Sequence, residues 1–345
     1  MDDCRIKYTK ERTVRLVTTA SALANNLVAL DAHKYGVAAS VAVVHNGYVN
    51  VIPVYNPEEK SQYLPCIVAG TTPRKVTAEV MQVLWGVLKE QKVLVVASTL
   101  GVQVYLNGDF KSCRYHYALS PANVGDAAYF VRGLAIVDCQ FLCVGMSGGC
   151  LCMLQPREGG ADPGLELLER KAAHGTAVTC LAGSDRGLLL GSADETGAVV
   201  LWELAGRRLH RLFDVDHSGS GFPCTGLKLW GGLVIAAYGS GHVRTFRADS
   251  GRCVSEVAAH ARWVSALDVA TERGYLLTVG EDSFAKVWQI AGSGSKIRHV
   301  WTTHVPDSLL VGGAFLNKCG SVFGVAGYDS ADVLCYAAEE LPAGQ

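Results

Sequence analysis

Short apolar runs recur along this chain, and each meets a turn of small or polar residues before a second alternating run that ends in an aromatic residue. Clear examples are KVLVVASTLGVQVY (92–105), GLLLGSADETGAVVLW (187–202) and YLLTVGEDSFAKVW (275–288). Alternation with a period of two on both sides of a short turn is typical of a β-hairpin. The pattern therefore predicts a series of hairpins.

The hairpins recur at a regular spacing. A further short strand precedes each one, as MQVLW (81–85) precedes 92–105, and an outer strand such as RLHRLFDV (208–215) follows most of them. A repeat of about 40 to 50 residues that contains four strands is typical of a β-propeller blade. The sequence thus predicts an all-β fold built from such blades.

Counting the repeats predicts one seven-bladed β-propeller over residues 1–345. The last repeat, 310–336, supplies only three strands, and TVRLVTT (13–19) is left over near the N-terminus. We expect strand 13–19 to close the ring, because closure removes sheet edges that would otherwise pair with other chains. The predicted blades cover 22–70, 77–119, 128–171, 174–215, 222–258, 260–304 and 308–336 plus 13–19.

Composition and charge agree with this interpretation and exclude some partners. Apolar residues make up 49% of the chain, charged residues 18%, and there are 38 glycines, which is typical of short buried strands joined by tight turns. The net charge is −1 with no basic run, so we expect neither nucleic acid nor a membrane surface as partner. The polar N-terminus and the lack of a long apolar segment predict no secretion signal and no transmembrane helix. Twelve scattered cysteines predict a reducing, cytoplasmic setting.

One repeat carries polar side chains that could be interpreted as an active site. In AHARWVSALDVATERGYLLTVGEDSFAKVWQ (259–289) they are His260, Thr278, Asp282 and Trp288. A His, a hydroxyl and a carboxylate are the parts of a hydrolase triad. The repeat also resembles the WD-repeat family, with AH where that family has GH and VWQ where it has WD. The resemblance implies a structural tetrad, in which indole donates to hydroxyl, hydroxyl to imidazole, and the carboxylate holds the far imidazole nitrogen.

The tetrad interpretation is the one we favour. A hydroxyl bonded to a core tryptophan is not exposed beside an oxyanion site, as a nucleophile must be, so we predict no catalytic residue here. A second repeat holds a partial tetrad: His174, Ser192, Asp194 and Trp202. Its acid is displaced to Asp194 and Thr196 occupies the usual turn position, so we do not expect that relay to be complete.

Four cysteines lie within CQFLCVGMSGGCLC (139–152), which raises the question of a metal or redox site. Their spacing fits a zinc knuckle poorly, and strand alternation would split them between two faces. If Ser147-Gly148 is a two-residue turn, Cys143 lies opposite Cys152. Buried apolar cysteines are the favoured interpretation and a reversible cross-strand disulfide is the alternative; we predict no metal and no cofactor.

Several large side chains fall in loops on the face of the ring where propellers usually bind partners. Alternation places Val264 and Ala266 in the blade, so Trp263, one step out of phase, should face solvent. Exposed aromatic and Arg side chains are frequent binding hot spots. The candidate partner-binding residues are Phe222, Tyr238, His242, Arg262, Trp263, Glu281 and Tyr328.

The absence of a catalytic set or a cofactor motif favours a non-catalytic protein-interaction scaffold, acting as a monomeric ring with protein partners. One alternative is a propeller that reads peptides or modifications, for example as a ubiquitin-pathway adaptor. A channel enzyme is less favoured, because the inner strands are mostly apolar apart from Lys228 and Asp268. By analogy with other divergent WD-repeat proteins, a cilium- or flagellum-associated assembly is one candidate setting, and cytosolic ubiquitin or trafficking assemblies are others.

Overall fold

The alternating runs of the sequence form strands that pair with their chain neighbours, because each tight turn returns the chain beside the strand just completed. The computed structural model describes residues 6–30, 40–55, 60–66, 78–119, 130–157, 164–184, 187–215, 221–291 and 294–340. In these residues, strands form seven antiparallel four-stranded sheets, and no helix is found. The predicted seven-bladed propeller is confirmed.

The strands are numbered in chain order, and each blade holds four. Blade 1 has β2 (Val28–Ala29), β3 (Ser40–His45), β4 (Tyr48–Pro53) and β5 (Gln62–Pro65); blade 2 has β6 (Val80–Leu88), β7 (Gln91–Ser98), β8 (Gly101–Leu106) and β9 (Tyr115–Ala118). Blade 3 has β10 (Val131–Val137), β11 (Phe141–Met146), β12 (Cys150–Pro156) and β13 (Leu165–Ala172); blade 4 has β14 (Val178–Gly183), β15 (Leu189–Asp194), β16 (Val199–Ala205) and β17 (Arg208–Val215). Blade 5 has β18 (Cys224–Trp230), β19 (Leu233–Tyr238), β20 (His242–Arg247) and β21 (Cys253–Ala258); blade 6 has β22 (Val264–Ala270), β23 (Tyr275–Gly280), β24 (Phe284–Ala291) and β25 (Lys296–His304). Blade 7 has β26 (Leu310–Phe315), β27 (Val322–Gly327), β28 (Asp332–Glu340) and, as its outer strand, β1 (Ile6–Arg15).

An N-terminal strand closes the ring, but it is not the segment that the sequence predicted. Strand β1 pairs with β28 from Ile6 opposite Glu340 to Arg15 opposite Asp332, so the expected range 13–19 was wrong by several residues. An outer strand buries only one face, so a charged segment such as IKYTKERTVR can serve; Tyr8 and Val14 are its buried side chains. The more apolar LVTT leaves the sheet at this point.

The hydrophobic core lies between the blades. The buried side chains of the described residues form seven clusters, and each cluster combines residues of two neighbouring blades. Between blades 5 and 6, for example, Ile235 and Ala237 of β19 pack with Leu267 of β22 and Trp288 of β24. Every blade therefore depends on both neighbours, which is the physical reason that ring closure stabilises the molecule.

All inner strands begin at the same face of the ring, which we call the entry face. The turns between the second and third strands of each blade also lie there, because successive strands of a blade run in opposite directions. Most inner strands bulge close to this face, as β22 does between Val264 and Ala266 and β18 between Cys224 and Gly226. The loops of the entry face carry the candidate partner-binding residues.

The chain between β1 and β2, residues 16–27, crosses the entry face and is called the crossing segment. Asn25, with φ 56°, lies at the mouth of the channel. Its backbone N–H donates to the Ser265 carbonyl (2.7 Å), its Nδ2 donates to the Thr225 carbonyl (2.7 Å), and its Oδ1 accepts from the Leu267 N–H (3.1 Å). The N-terminal region thus connects to the inner strands of blades 5 and 6.

Candidate functional site

The four polar side chains of blade 6 form a buried relay. The indole Nε1 of Trp288 donates to Thr278 Oγ1 (2.9 Å), which lies 2.9 Å from His260 Nε2. The other imidazole nitrogen, Nδ1, lies 2.8 Å from Asp282 Oδ1. Thr278 is fully buried and His260 and Trp288 are each only 6% exposed, so the Asp282 carboxylate is the most exposed part of the relay.

The relay geometry leaves the hydroxyl with no role as a nucleophile. Thr278 Oγ1 already accepts a hydrogen bond from Trp288, and its own hydrogen points to the imidazole. A substrate carbonyl could not reach a fully buried oxygen. The arrangement satisfies polar groups that would each cost about 1–3 kcal/mol if left unpaired in the interior.

Asp282 is the polar cap of this relay at the entry face. Burial by itself would raise the pKa of its carboxyl group, but the hydrogen bond and electrostatic interaction with His260, together with the N–H groups of Ala261 and Phe284, outweigh burial. The net result is a pKa below the ordinary Asp value. The carboxylate therefore stays ionised and holds both the imidazole and the turn.

Blade 4 contains a second complete relay, so the expectation of an incomplete one was wrong. Trp202 Nε1 donates to Ser192 Oγ (2.8 Å), Ser192 Oγ lies 2.7 Å from His174 Nε2, and His174 Nδ1 lies 3.1 Å from Asp194 Oδ2. Asp194 can complete the relay from its displaced position because its second oxygen, Oδ1, accepts hydrogen bonds from the N–H and the hydroxyl of Thr196. One carboxylate thus fixes both the turn and the imidazole.

His174 is held neutral by its surroundings. Burial lowers the pKa of its imidazole, and the opposing effect of Asp194 is too small to restore the ordinary value. A neutral ring with its hydrogen on Nδ1 donates to Asp194 and accepts the Ser192 hydroxyl at Nε2. Protonation would place a second donor opposite that hydroxyl and disturb the relay.

In blade 3, Cys143 and Cys152 do not face each other, so the condition for the alternative of a cross-strand disulfide is not met. Cys143 lies opposite Met153 and Val144 lies opposite Cys152, so the two thiols point to different faces of the sheet and belong to different core clusters. The turn is longer by one residue than expected, since Gly149 adopts φ 79° and extends it. Burial raises the pKa of Cys143 to about 12 and that of Cys152 to about 11, which favours inert thiols.

The candidate partner-binding residues differ in exposure. Phe222 (47%), Trp263 (44%) and Tyr328 (52%) are exposed large side chains. Arg262 is exposed, and Glu281 and His242 are partly exposed. His242 Nδ1 lies 3.1 Å from both the carbonyl and the hydroxyl oxygen of Ser240, within its own turn.

Tyr238 was wrongly placed in that set. It is fully buried, and its ring belongs to the cluster between blades 4 and 5 together with Val234 and Ala236 of the same strand. The period of two puts these three side chains on one face, so the alternation of LVIAAY could have excluded Tyr238. Arg244 lies over its ring, 5.1 Å from the centroid.

Two further exposed side chains on the entry face escaped the sequence analysis. Val17 is 54% exposed in the crossing segment, and Leu309 is 37% exposed in the loop that enters blade 7. Both lie next to apolar runs, where sequence pattern alone predicts burial. We call the five exposed side chains of this face the apolar arc: Val17, Phe222, Trp263, Leu309 and Tyr328.

Backbone hydrogen bonds join the loops that carry the apolar arc. The Glu281 N–H donates to the Trp263 carbonyl (3.0 Å), and the Tyr328 N–H donates to the Leu309 carbonyl (2.7 Å). Ala20 of the crossing segment forms a parallel bridge with Tyr328. A Cβ atom at Gly239, which follows β19, would come within 3.1 Å of the Trp263 ring, so the indole lies flat against blade 5. Between blades 6 and 7, the Ser283 hydroxyl donates to the Ser308 carbonyl (2.7 Å), so the loops of blades 5, 6 and 7 are linked in sequence around the ring.

The channel holds one ion pair among the described residues of its inner strands. Lys228 Nζ lies 2.8 Å from Asp268 Oδ1, and the other oxygen of Asp268 accepts the Phe315 N–H (2.8 Å). The carboxylate links blades 5, 6 and 7 and is committed to these contacts. In the part of the chain that the structure describes, no three His, Cys, Asp or Glu residues group as metal ligands, and no helix is long and apolar enough to cross a membrane.

The ring of four-stranded blades and the two Trp–hydroxyl–His–Asp relays define a WD-repeat β-propeller. A family model of WDR54 matches residues 7–338. WD repeat-containing protein 54 from Mus musculus is 33% identical over 341 residues, which are 95% of this chain and 98% of that protein. The corresponding protein from Homo sapiens is 32% identical over 337 residues, 94% of this chain and 97% of its own length. The chain belongs to the WDR54 family.

The sequence agrees with that assignment, and a solved structure agrees with the fold. The stretches NNLVAL, CVGMSGG and GEDSFAKVW resemble WD repeat-containing protein 54 in this order, and the comparisons confirm the resemblance. A chain in the crystal structure of the Mitotic Checkpoint Complex superposes with a TM-score of 0.74 at 17% identity, over 97% of this chain and 93% of that one. This second likeness shows the fold alone.

Proposed function

We propose that this protein is a non-catalytic scaffold that binds protein partners through the apolar arc of its entry face. The observation that carries the proposal is the exposure of Phe222, Trp263 and Tyr328 on loops of one face. Large aromatic side chains in water favour association, and tryptophan, tyrosine and arginine are enriched among binding hot spots. Membership in a WD-repeat family agrees with an interaction role.

The chemistry of the described residues supports a non-catalytic role. The hydroxyls of both relays are buried and bonded to tryptophan, and the channel acid Asp268 is engaged by Lys228 and the Phe315 N–H. The crossing segment places Asn25 at the channel mouth, where a peptide-reading propeller would need an open pocket. The cytoplasmic and ciliary settings stay predictions from composition and analogy.

A double substitution tests the proposed binding face. Arg262→Glu with Trp263→Ala should leave the melting temperature nearly unchanged, since surface changes usually stay within about 0.5 kcal/mol. The same variant should lose at least one partner when the tagged protein is compared with wild type by proximity labelling in its own cells.

A matched control separates the arc from general surface effects. Arg208→Glu with Leu212→Ala makes the same kinds of change on the exposed outer strand of blade 4, where Leu212 is 42% exposed. This control should keep every partner. If the Arg262/Trp263 variant also keeps every partner, the binding surface lies elsewhere and the proposal is wrong.

A further inference from the structure

The blade 6 and blade 7 loops that carry part of the apolar arc are acidic. Their charged residues, besides Asp282 of the blade 6 relay, are Arg262, Glu281, Asp307 and Asp329. In the described part of the chain, none of these four side chains forms a salt bridge. By contrast, Asp332, which lies at the start of β28 close to this face, forms an ion pair with Arg15 (2.9 Å). The arc thus has an excess of unpaired negative charge.

Trp263 is held in place as a platform. One side of its indole packs against Gly239 of blade 5, and 44% of the side chain faces solvent. Glu281 is tied beside it, because its N–H donates to the Trp263 carbonyl. An open aromatic face next to a carboxylate attracts a Lys or Arg side chain through cation–π and ionic contacts.

The same pairing of apolar and acidic groups occurs in blade 7. Leu309 and Tyr328 are joined by a backbone hydrogen bond, and their chain neighbours Asp307 and Asp329 have φ of 55° and 53°. This left-handed backbone belongs to tight turns, and each aspartate lies within two residues of an apolar side chain of the arc. Blades 6 and 7 therefore present the same mixed chemistry side by side.

We propose that the apolar arc binds a basic protein segment in which Lys or Arg side chains alternate with aliphatic or aromatic ones. This inference rests on the proposed function and adds the chemistry of the partner. Charge complementarity selects the occupant: nucleic acid and anionic membranes are repelled by Glu281, Asp307 and Asp329. A symmetric pairing of two copies through this face would set the acids of one copy against those of the other.

The test begins with peptide selection on the purified full-length protein. A phage-displayed library of random dodecapeptides is selected on wild type and counter-selected on the Trp263→Ala variant, whose melting temperature is checked first. The recovered peptides should have a clear excess of Lys and Arg over Asp and Glu. Synthetic peptides of the recovered sequences then serve as probes in fluorescence anisotropy titrations.

Reversing the charges of the three acids in the arc loops tests whether the selected peptides bind through them. The triple variant Glu281→Lys, Asp307→Lys, Asp329→Lys should bind the selected peptides roughly tenfold or more weakly, which corresponds to at least about 1.4 kcal/mol. A control triple variant, Glu166→Lys, Glu203→Lys, Glu272→Lys, makes the same change of net charge at exposed positions outside the arc and should bind like wild type.

The outcomes separate the inference from the proposed function. If peptides depend on Trp263 but carry no basic excess and tolerate the arc triple variant, the partner chemistry is wrong while the binding face stands. If both triple variants weaken binding equally, the effect is one of net charge, and the inference is overturned. If no peptide depends on Trp263, the inference is overturned as well, and partner labelling with the Arg262/Trp263 variant then decides the proposed function.

Discussion

At the scale of single residues, one hydroxyl in each relay determines whether three other side chains can be buried. Thr278 Oγ1 accepts from Trp288 and bonds His260, and Ser192 Oγ does the same between Trp202 and His174. Without the hydroxyl, an indole N–H and an imidazole nitrogen would lose their partners in the interior. The His, hydroxyl and acid that resemble a hydrolase triad in the sequence are thus present because they satisfy one another's hydrogen bonds in the core.

The variant Thr278→Val tests this explanation because it keeps the shape of the side chain and removes the hydroxyl. It should lower the free energy of unfolding by about 1–3 kcal/mol, the cost of unpaired buried polar groups. The measurement is the urea unfolding midpoint. Thr13→Val, on the exposed side of β1, is the matched control and should change stability by less than about 0.5 kcal/mol. Equal effects of the two substitutions would contradict the relay's role.

The neutral state of His174 predicts a pH dependence of stability. Burial lowers the pKa of the folded-state imidazole below its unfolded value of about 6.5, so between these two values the unfolded chain binds a proton that the folded protein does not. Stability should therefore fall as the pH falls below about 6.5 towards the folded-state pKa. The free energy of unfolding, measured from pH 7.5 to 5.5, should depend less steeply on pH in the His174→Gln variant than in wild type.

The control for this prediction is His210→Gln on the exposed outer strand of blade 4. It should reproduce the pH slope of wild type, because His210 is exposed and takes no part in the relay. Parallel slopes for wild type and His174→Gln would show that His174 does not set the pH dependence.

At the scale of elements, the outer strand of blade 7 is the one strand whose partner lies at the far end of the chain. Nine residue pairs join β1 to β28. Tyr8 is 3% exposed, donates from its hydroxyl to the Gly320 carbonyl (2.5 Å) and packs against Phe323 with ring centroids 5.1 Å apart. The strand both covers the edge of β28 and fills the core beneath it.

Deleting residues 1–15 removes β1 and should expose the edge of β28. We expect a lower melting temperature and self-association, because an unpaired strand edge pairs readily with other chains. Thermal unfolding and size-exclusion chromatography with light scattering measure the two effects. Deleting residues 1–5 leaves β1 complete and should behave as wild type. A monomeric 16–345 protein with an unchanged melting temperature would show that β1 is not needed for closure.

At the scale of the whole molecule, the crossing segment connects blades that are distant in the chain. Asn25 reaches Thr225 in blade 5 and Ser265 and Leu267 in blade 6, while the Asn26 N–H donates to Val311 in blade 7 (3.1 Å). Closure thus acts at two places: β1 completes the outer edge of blade 7, and the crossing segment ties the inner strands together at the channel mouth.

The variant Asn25→Gly keeps the left-handed backbone, φ 56°, and removes both side-chain hydrogen bonds. Stability should fall by about 1–2 kcal/mol, and hydrogen exchange should accelerate in residues 224–230 and 264–270. Asp138→Gly makes the matching change at φ 53° in a turn of blade 3, removing a side-chain hydrogen bond with Gln140, and should leave exchange in both strands unchanged. Unaltered protection in the Asn25 variant would mean that the segment only lies on the ring.

The sequence by itself determined the features that depend on local order. Alternation and turn chemistry repeat along the chain, so they fix the hairpins, the seven blades and the residue types of the blade 6 relay. They also place Trp263 out of phase with Val264, and its exposure agrees with that phase. Such features depend only on residues a few positions apart, because the alternation of side chains along a strand fixes which face each one lies on.

Only the tertiary structure decided where separate segments meet. The bulged turn at Gly149 moved Cys143 away from Cys152, and a second contact of Asp194 completed the blade 4 relay. The closing strand could be charged because an outer strand buries one face, so its apolar pattern is weak. The contacts of Asn25 with blades 5 and 6 arise from ring closure, which brings residues hundreds of positions apart together and leaves no periodic trace in the sequence.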